Sequence, residues 1–149
     1  MTRTALFPVI FASVIICFFI NVLSCAPQFG KVVIDKPDEY RHVFEAKDTI
    51  ILKAIYRVFK EKNVGSNVKI NQDKLTVDSD YTVDGDWRTK SSARVRNLNW
   101  KECEVTLIVV TEKKTEKGWE MRRLLDKDQY HSYFNTIEMK IYEEMYKIE

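Results

Sequence analysis

Between Leu75 and Arg96 the chain alternates with period two on either side of an Asp84-Gly85 pair. Leu75, Val77, Ser79, Tyr81 and Val83 fall on one face, with Asp78 and Asp80 on the other. Past the pair, Trp87, Thr89, Ser91, Ala93 and Val95 share a face opposite Arg88, Lys90, Arg94 and Arg96. Successive side chains of a strand point to opposite faces, and Asp-Gly supplies the positive φ of a tight hairpin. This pattern predicts an antiparallel hairpin with one apolar face. Such a face has to be covered.

Two runs of helical period supply the cover. Leu52, Ile55, Tyr56 and Phe59 lie at helical spacing within Thr49–Asn63, with Asp48 as the predicted N-cap and Asn63-Val64-Gly65-Ser66 as the stop. The Asp126–Asp128 stretch can cap a second helix, with a stripe of Tyr130, Tyr133, Phe134, Ile137, Ile141, Met145 and Ile148. A further stripe, Met139, Tyr142 and Tyr146, reads either as a docking face or as the edge of a wide buried face.

Val68 and Ile70 suggest a short strand, and Cys103–Thr111 reads as the most buried one, apolar on both faces at Ile108 and Val110. Gly118 turns the chain into Trp119–Leu125, and Tyr40–Glu45 is either a first strand or the lead-in to the helix. The expectation is an α+β fold for residues 40–149. It comprises an antiparallel sheet of about four strands, with an N-terminal and a C-terminal helix on one face (α-β-β-β-β-α).

The hydrophobic share, 45% of 149 residues, is unevenly spread. Residues 1–24 hold a single charge, Arg3, and no charge occurs from Leu6 to Leu23. A positive start, an apolar middle and small residues before Pro27 describe an export signal. Left uncut, an apolar run of about 18 residues is also long enough to be a membrane anchor.

Val22-Leu23-Ser24-Cys25 resembles the lipobox of bacterial lipoproteins. The resemblance implies removal of residues 1–24, acylation of Cys25 and delivery to the periplasmic face of the outer membrane, since Ala26 follows the cysteine. A cut after Ala26, giving a secreted protein, and retention at the inner membrane are the alternatives. Residues 25–39, with Pro27, Gly30 and Pro37, read as the lipidated cysteine and a tether, with room for a short strand at Val32-Val33-Ile34. Cys17 leaves with the signal, so acylation of Cys25 leaves Cys103 without a disulfide partner. Without acylation, a Cys25–Cys103 bridge is the alternative.

Little in the sequence suggests catalysis. The two histidines, His42 and His131, lie far apart, and no metal-spaced pair, Cys-x-x-Cys or glycine-rich phosphate loop occurs. Cys103 reads as an inward-facing small hydrophobe, and the acidic residues around the hairpin lack calcium-loop spacing. No catalytic residue, metal or cofactor is therefore assigned. A net charge of +2 does not suit a nucleic-acid binder.

Two surface features remain. The Arg88, Lys90, Arg94 and Arg96 stripe could meet anionic head groups, lipopolysaccharide phosphates or an acidic partner. It could equally be a solvated strand face neutralised by Asp78, Asp80 or Glu104. Trp100, at a turn between Asn99 and Lys101, is expected to be exposed and is a candidate contact residue.

The lipobox, a helix at Thr49–Asn63 before a strand meander, Trp119 in the last strand and a closing helix are features shared with small envelope lipoproteins. The arrangement resembles the helix-grip modules of BamC-like lipoproteins of the β-barrel assembly machinery, and the lipoprotein partner in lipopolysaccharide export. The resemblance implies a non-catalytic accessory or scaffold whose partners are the membrane, through its lipid, and another envelope protein. The alternative is a small-ligand or lipopolysaccharide-binding module with a cavity between sheet and helices. A hydrolase would require His131, Cys103 and an acid to converge.

Overall fold

The sheet is built around its two longest strands, β5 (Trp87–Asn97) and β6 (Cys103–Thr115), paired in register from Trp87↔Lys113 to Asn97↔Cys103. The computed structural model describes residues 30–147, so residues 1–24, where an export signal is expected, Cys25 and Ile148 lie outside the described residues. β1 (Glu39–Phe44) pairs with β6, while β3 (Thr76–Asp80) and then β2 (Ser66–Asn71) extend the sheet beyond β5. Two short strands, β4 (Thr82–Asp84) and β7 (Gly118–Met121), pair with β5 and β6. Every pairing is antiparallel.

The fold is α+β, but the sheet has seven strands rather than about four, and a strand precedes the first helix. Tyr40, His42 and Phe44 alternate inward along β1 and pair with Leu107, Val105 and Cys103. Their rings form one layer with the second helix, Lys127–Tyr146: Tyr40 stacks on Tyr130 at 4.1 Å, and His42 on Phe134 at 5.3 Å.

α1 (Asp48–Glu61) and α2 (Lys127–Tyr146) lie on one face of the sheet. Between helices and sheet, Ile51, Ile55, Phe59, Val77, Val105, Leu107 and Ile137 are completely buried. α2 begins with a capping box, in which Asp126 accepts the Gln129 N–H and the Gln129 side chain accepts the Asp126 N–H. α1 begins differently. Its N-cap is Lys47 without a side-chain bond, and Asp48 is already helical. Asp48 faces the N-terminal end of the helix dipole, accepts the Thr49 N–H and takes a hydrogen bond from Asn97.

The alternation expected from Leu75 to Val83 changes phase midway. Val77 pairs with Ala93 in β3, yet Val83 pairs with Arg88 in β4, one residue out of step. The slip sits at Ser79–Tyr81, and a one-residue slip turns every following side chain to the other face. Tyr81 and Val83 therefore lie on the face away from the helices, and Val83 is largely exposed.

Residues 30–38 run against the domain. Ile34 donates to the Met121 carbonyl and Arg123 to the Val32 carbonyl, so this segment borders β7. Arg123 also grips Asp38 through two bonds, at 2.7 and 3.0 Å. Gly30 sits beneath Trp87, where a Cβ would come within 2.6 Å of the indole.

Candidate interaction surface

The basic stripe of β5 is mostly engaged within the protein. Arg88 is bonded to Glu112, and its guanidinium lies 4.3 Å from the Tyr81 ring and 4.4 Å from the Trp119 ring. The phase change at Tyr81 brings that ring onto the arginine face. Lys90 lies 4.7 Å from the other reach of Tyr81, and Arg96 is paired with Glu104 at 3.0 Å. Lys90 and Arg94, the latter opposite Thr76 and Thr106, make no ion pair among the described residues. Two of the four basic residues of the stripe are thus ion-paired, and two carry charge without an acidic partner. Asp78 does not neutralise the stripe either, because it accepts from Thr76 and Ser92.

Trp100 stands at the opposite extreme, with 83% of its surface exposed. The turn that carries it is tied down by Asn99, whose side-chain oxygen accepts the Lys101 and Glu102 N–H groups at 2.8 and 2.9 Å. Leu98 closes the turn by donating to the Glu102 carbonyl. The indole is held outward, with the Lys101 ammonium 4.5 Å from its ring. It borders a groove of about 540 Å³ lined by Ala46, Ile50, Lys101 and Met145, with Glu45 and Lys47 on the rim. Three elements make this groove: the start of α1, the β5–β6 turn and the end of α2.

The end of α2 continues the apolar surface. Tyr130, Phe134, Ile137 and Ile141 face the sheet, while Lys140, Glu143 and Glu144 turn towards α1, where Arg57 and Glu61 bind them. Met139, Tyr142, Met145 and Tyr146 are left exposed. Of the two readings for the Met139, Tyr142 and Tyr146 stripe, the edge of a buried face is therefore excluded. The α2 residue that meets Trp100 and Ile50 is Met145, which periodicity groups with the core-facing stripe of that helix.

The groups a hydrolase would need do not meet. Cys103 is buried, and its thiol lies within reach of two acceptors, the Ala46 carbonyl at 3.3 Å and the Asn97 side-chain oxygen at 3.0 Å. Burial pushes the thiol above its ordinary value, and the nearby Asp48 charge adds to the shift. His131 is exposed beside Tyr130, whose hydroxyl accepts the Val109 N–H. Val109 is six strand positions from Cys103, a separation of about 20 Å. Among the described residues no cluster of three His, Cys, Asp or Glu side chains could hold a metal.

No protein-family model matches this sequence, and no curated protein does. Among solved structures, the chain is similar to a TBP-like protein from Parabacteroides distasonis. That match has 15% identity and a TM-score of 0.36, covering 71% of this chain and 96% of that one. Among the described residues no helix is long and apolar enough to cross a membrane.

Proposed function

We propose that this protein is a lipid-anchored interaction module of the bacterial envelope, a non-catalytic accessory or scaffold at the periplasmic face of the outer membrane. The observation that carries the interaction reading is the groove bordered by Trp100. A protein rarely leaves an indole and a methionine exposed together on one open groove, with Met139, Tyr142 and Tyr146 exposed on the same helix as that methionine, without a use for them. Aromatic side chains and methionines are enriched where proteins dock.

The anchor rests on the lipobox-like Val22–Cys25 run. Its geometry suits the groove. From Cys25 to Gly30, five residue steps reach at most about 17 Å. Gly30 docks at the Trp87 end of β5, whereas the Trp100 turn follows the other end of that strand. The strand itself is about 33 Å long. An acylated Cys25 would therefore hold the Trp87 end near the bilayer and point the groove away from it.

Two measurements test this reading. Cys25→Ser should abolish incorporation of labelled fatty acid and release the protein from membrane fractions. A photo-crosslinking residue at position 100 should capture a discrete envelope protein, and the same residue at exposed Glu116 should not. Unchanged membrane retention without lipid incorporation would refute the anchor, and no capture at position 100 would refute the interaction role.

A further inference from the structure

The main run of the sheet, β1-β6-β5-β3-β2, ends in two outer strands, β1 and β2, and they are finished differently. β2 carries a register shift between Ser66 and Lys69, with Asn67 at φ 48°. Irregularities of this kind keep an edge from pairing with another chain. β1 has none, and its register to β6 is unbroken from Glu39↔Ile108 to Phe44↔Cys103. Every second residue of an outer strand turns its N–H and C=O away from its single neighbour. Among the described residues no other backbone group takes those of β1.

Beside this open edge runs a second groove, of about 340 Å³, between β1 and the flank of α2. Val43, Phe44 and Glu45 line one wall, and Glu138, Ile141 and Tyr142 the other. Glu45 also lines the Trp100 groove, so the two grooves lie side by side where β1 ends. Glu45 and Glu138 are both exposed, and among the described residues neither has an ion-pair partner.

We propose that the partner docks as an added strand. An extended segment of another protein pairs its backbone with the free edge of β1 and sets a basic residue between Glu45 and Glu138. An apolar residue two positions away packs on Tyr142, and the segment continues into the groove at Trp100. This rests on the interaction reading above, because it specifies what enters the same surface. Main-chain bonds would supply affinity, while alternate side chains, about 7 Å apart, would supply selectivity. The two unpaired carboxylates favour a basic segment.

The test uses the full-length protein in detergent and a displayed library of linear peptides. Enriched peptides should alternate apolar and basic residues. The best binder is then resynthesised in two forms, N-methylated at alternate amides in opposite phase. Strand pairing predicts that one form loses about tenfold or more in affinity while its sister retains binding. Glu138→Lys and Tyr142→Ala, both exposed substitutions that leave the core intact, should each weaken the parent peptide by a similar factor. Equal binding of the two N-methylated forms would overturn the proposal, as would enrichment of acidic peptides or of none. A two-copy particle that Glu138→Lys dissociates would overturn it in favour of self-association. Trp100-dependent binding to anionic lipid vesicles, with no peptide selected, would overturn it in favour of a membrane seat. If position 100 still crosslinks to an envelope protein while no linear peptide binds, strand addition fails and the interaction role stands. If peptides bind as described but position 100 captures nothing in cells, the envelope role fails and the strand-binding edge stands.

Discussion

The Ser79 hydroxyl accepts the backbone N–H of Ser91 at 2.8 Å and lies 3.2 Å from the Ser91 carbonyl, standing in for a strand at the point where β3 breaks from β4. Ser91 is itself buried and donates its own hydroxyl to the Val64 carbonyl. A side chain thus satisfies backbone groups that the register slip would leave unpaired. Ser79→Ala removes that acceptor and should cost about 1–3 kcal/mol, the penalty for an unsatisfied buried donor. Urea unfolding measures it, and a loss well below this range would show that water replaces the hydroxyl.

Gly65 makes the same arrangement fit. Its φ is +152°, and a Cβ there would lie 1.9 Å from the Ser79 oxygen and 2.5 Å from its Cβ. Gly65→Ala is expected to destabilise by about 1–3 kcal/mol through overpacking and backbone strain. Combining it with Ser79→Ala should not restore stability, because the Ser79 Cβ remains in the way. Full rescue in the double variant would show that the clash involves the hydroxyl alone.

The two helices are joined by Arg57, which reaches Glu143 at 3.0 Å and Glu144 at 2.8 Å. Lys140, with Arg57, holds Glu143 below the usual carboxylate value, and Lys147, with Arg57, does the same for Glu144. A depressed carboxylate contributes stability above its unfolded pKa and loses it as pH falls through the folded one. Melting temperature should therefore fall on acidification below about pH 4.3, the ordinary glutamate value. Arg57→Leu should flatten that acid limb, and added salt should weaken it in the parent. Identical acid limbs in the two proteins would remove the network from the explanation.

Tyr130 links α2 to β6 by accepting the Val109 N–H at 3.2 Å, and burial pushes its pKa up to about 12. A raised phenol contributes stability that is complete below the unfolded pKa near 10 and is lost as pH climbs through the folded value. Ultraviolet titration should show a tyrosine ionising near pH 12 or on alkaline unfolding, and Tyr130→Phe should remove that step. The same substitution leaves the Val109 N–H without its partner and should cost about 1–3 kcal/mol in urea.

Trp100 separates docking from folding. With most of its surface in solvent, Trp100→Ala should change stability by less than about 0.5 kcal/mol. Partner capture should nevertheless be lost. Asn99→Ala leaves the indole in place but frees its turn, and should weaken capture while lowering stability more than Trp100→Ala does. A Trp100→Ala protein that melts much earlier than the parent would show that the indole supports the fold.

What could be read in advance was local in origin. Helix α1 follows from the spacing of Leu52, Ile55 and Phe59, and α2 from that of Tyr130, Phe134, Ile137 and Ile141, all of which face the core. Asp84-Gly85 and the β5 alternation follow equally from side-chain period and turn chemistry. Tyr40–Phe44 left strand and helix open because a short alternating run does not name its partner, which lies some 60 positions along in β6.

Tertiary structure decided the rest. Tyr81 reverses face because Ser79 can bond Ser91 across a slipped register, a relation between strands that no alternation pattern contains. That reversal stacks Tyr81 on Arg88, while Glu112 and Glu104 of the neighbouring strand take Arg88 and Arg96, so half of a seemingly free basic stripe is ion-paired. The groove likewise depends on Ile50, Trp100 and Met145, which are scattered along the chain and meet only when α1, the β5–β6 turn and α2 are packed. Periodicity assigns a residue to a face of its own element. Which faces converge, and which charges find partners, is settled by the packing of distant elements.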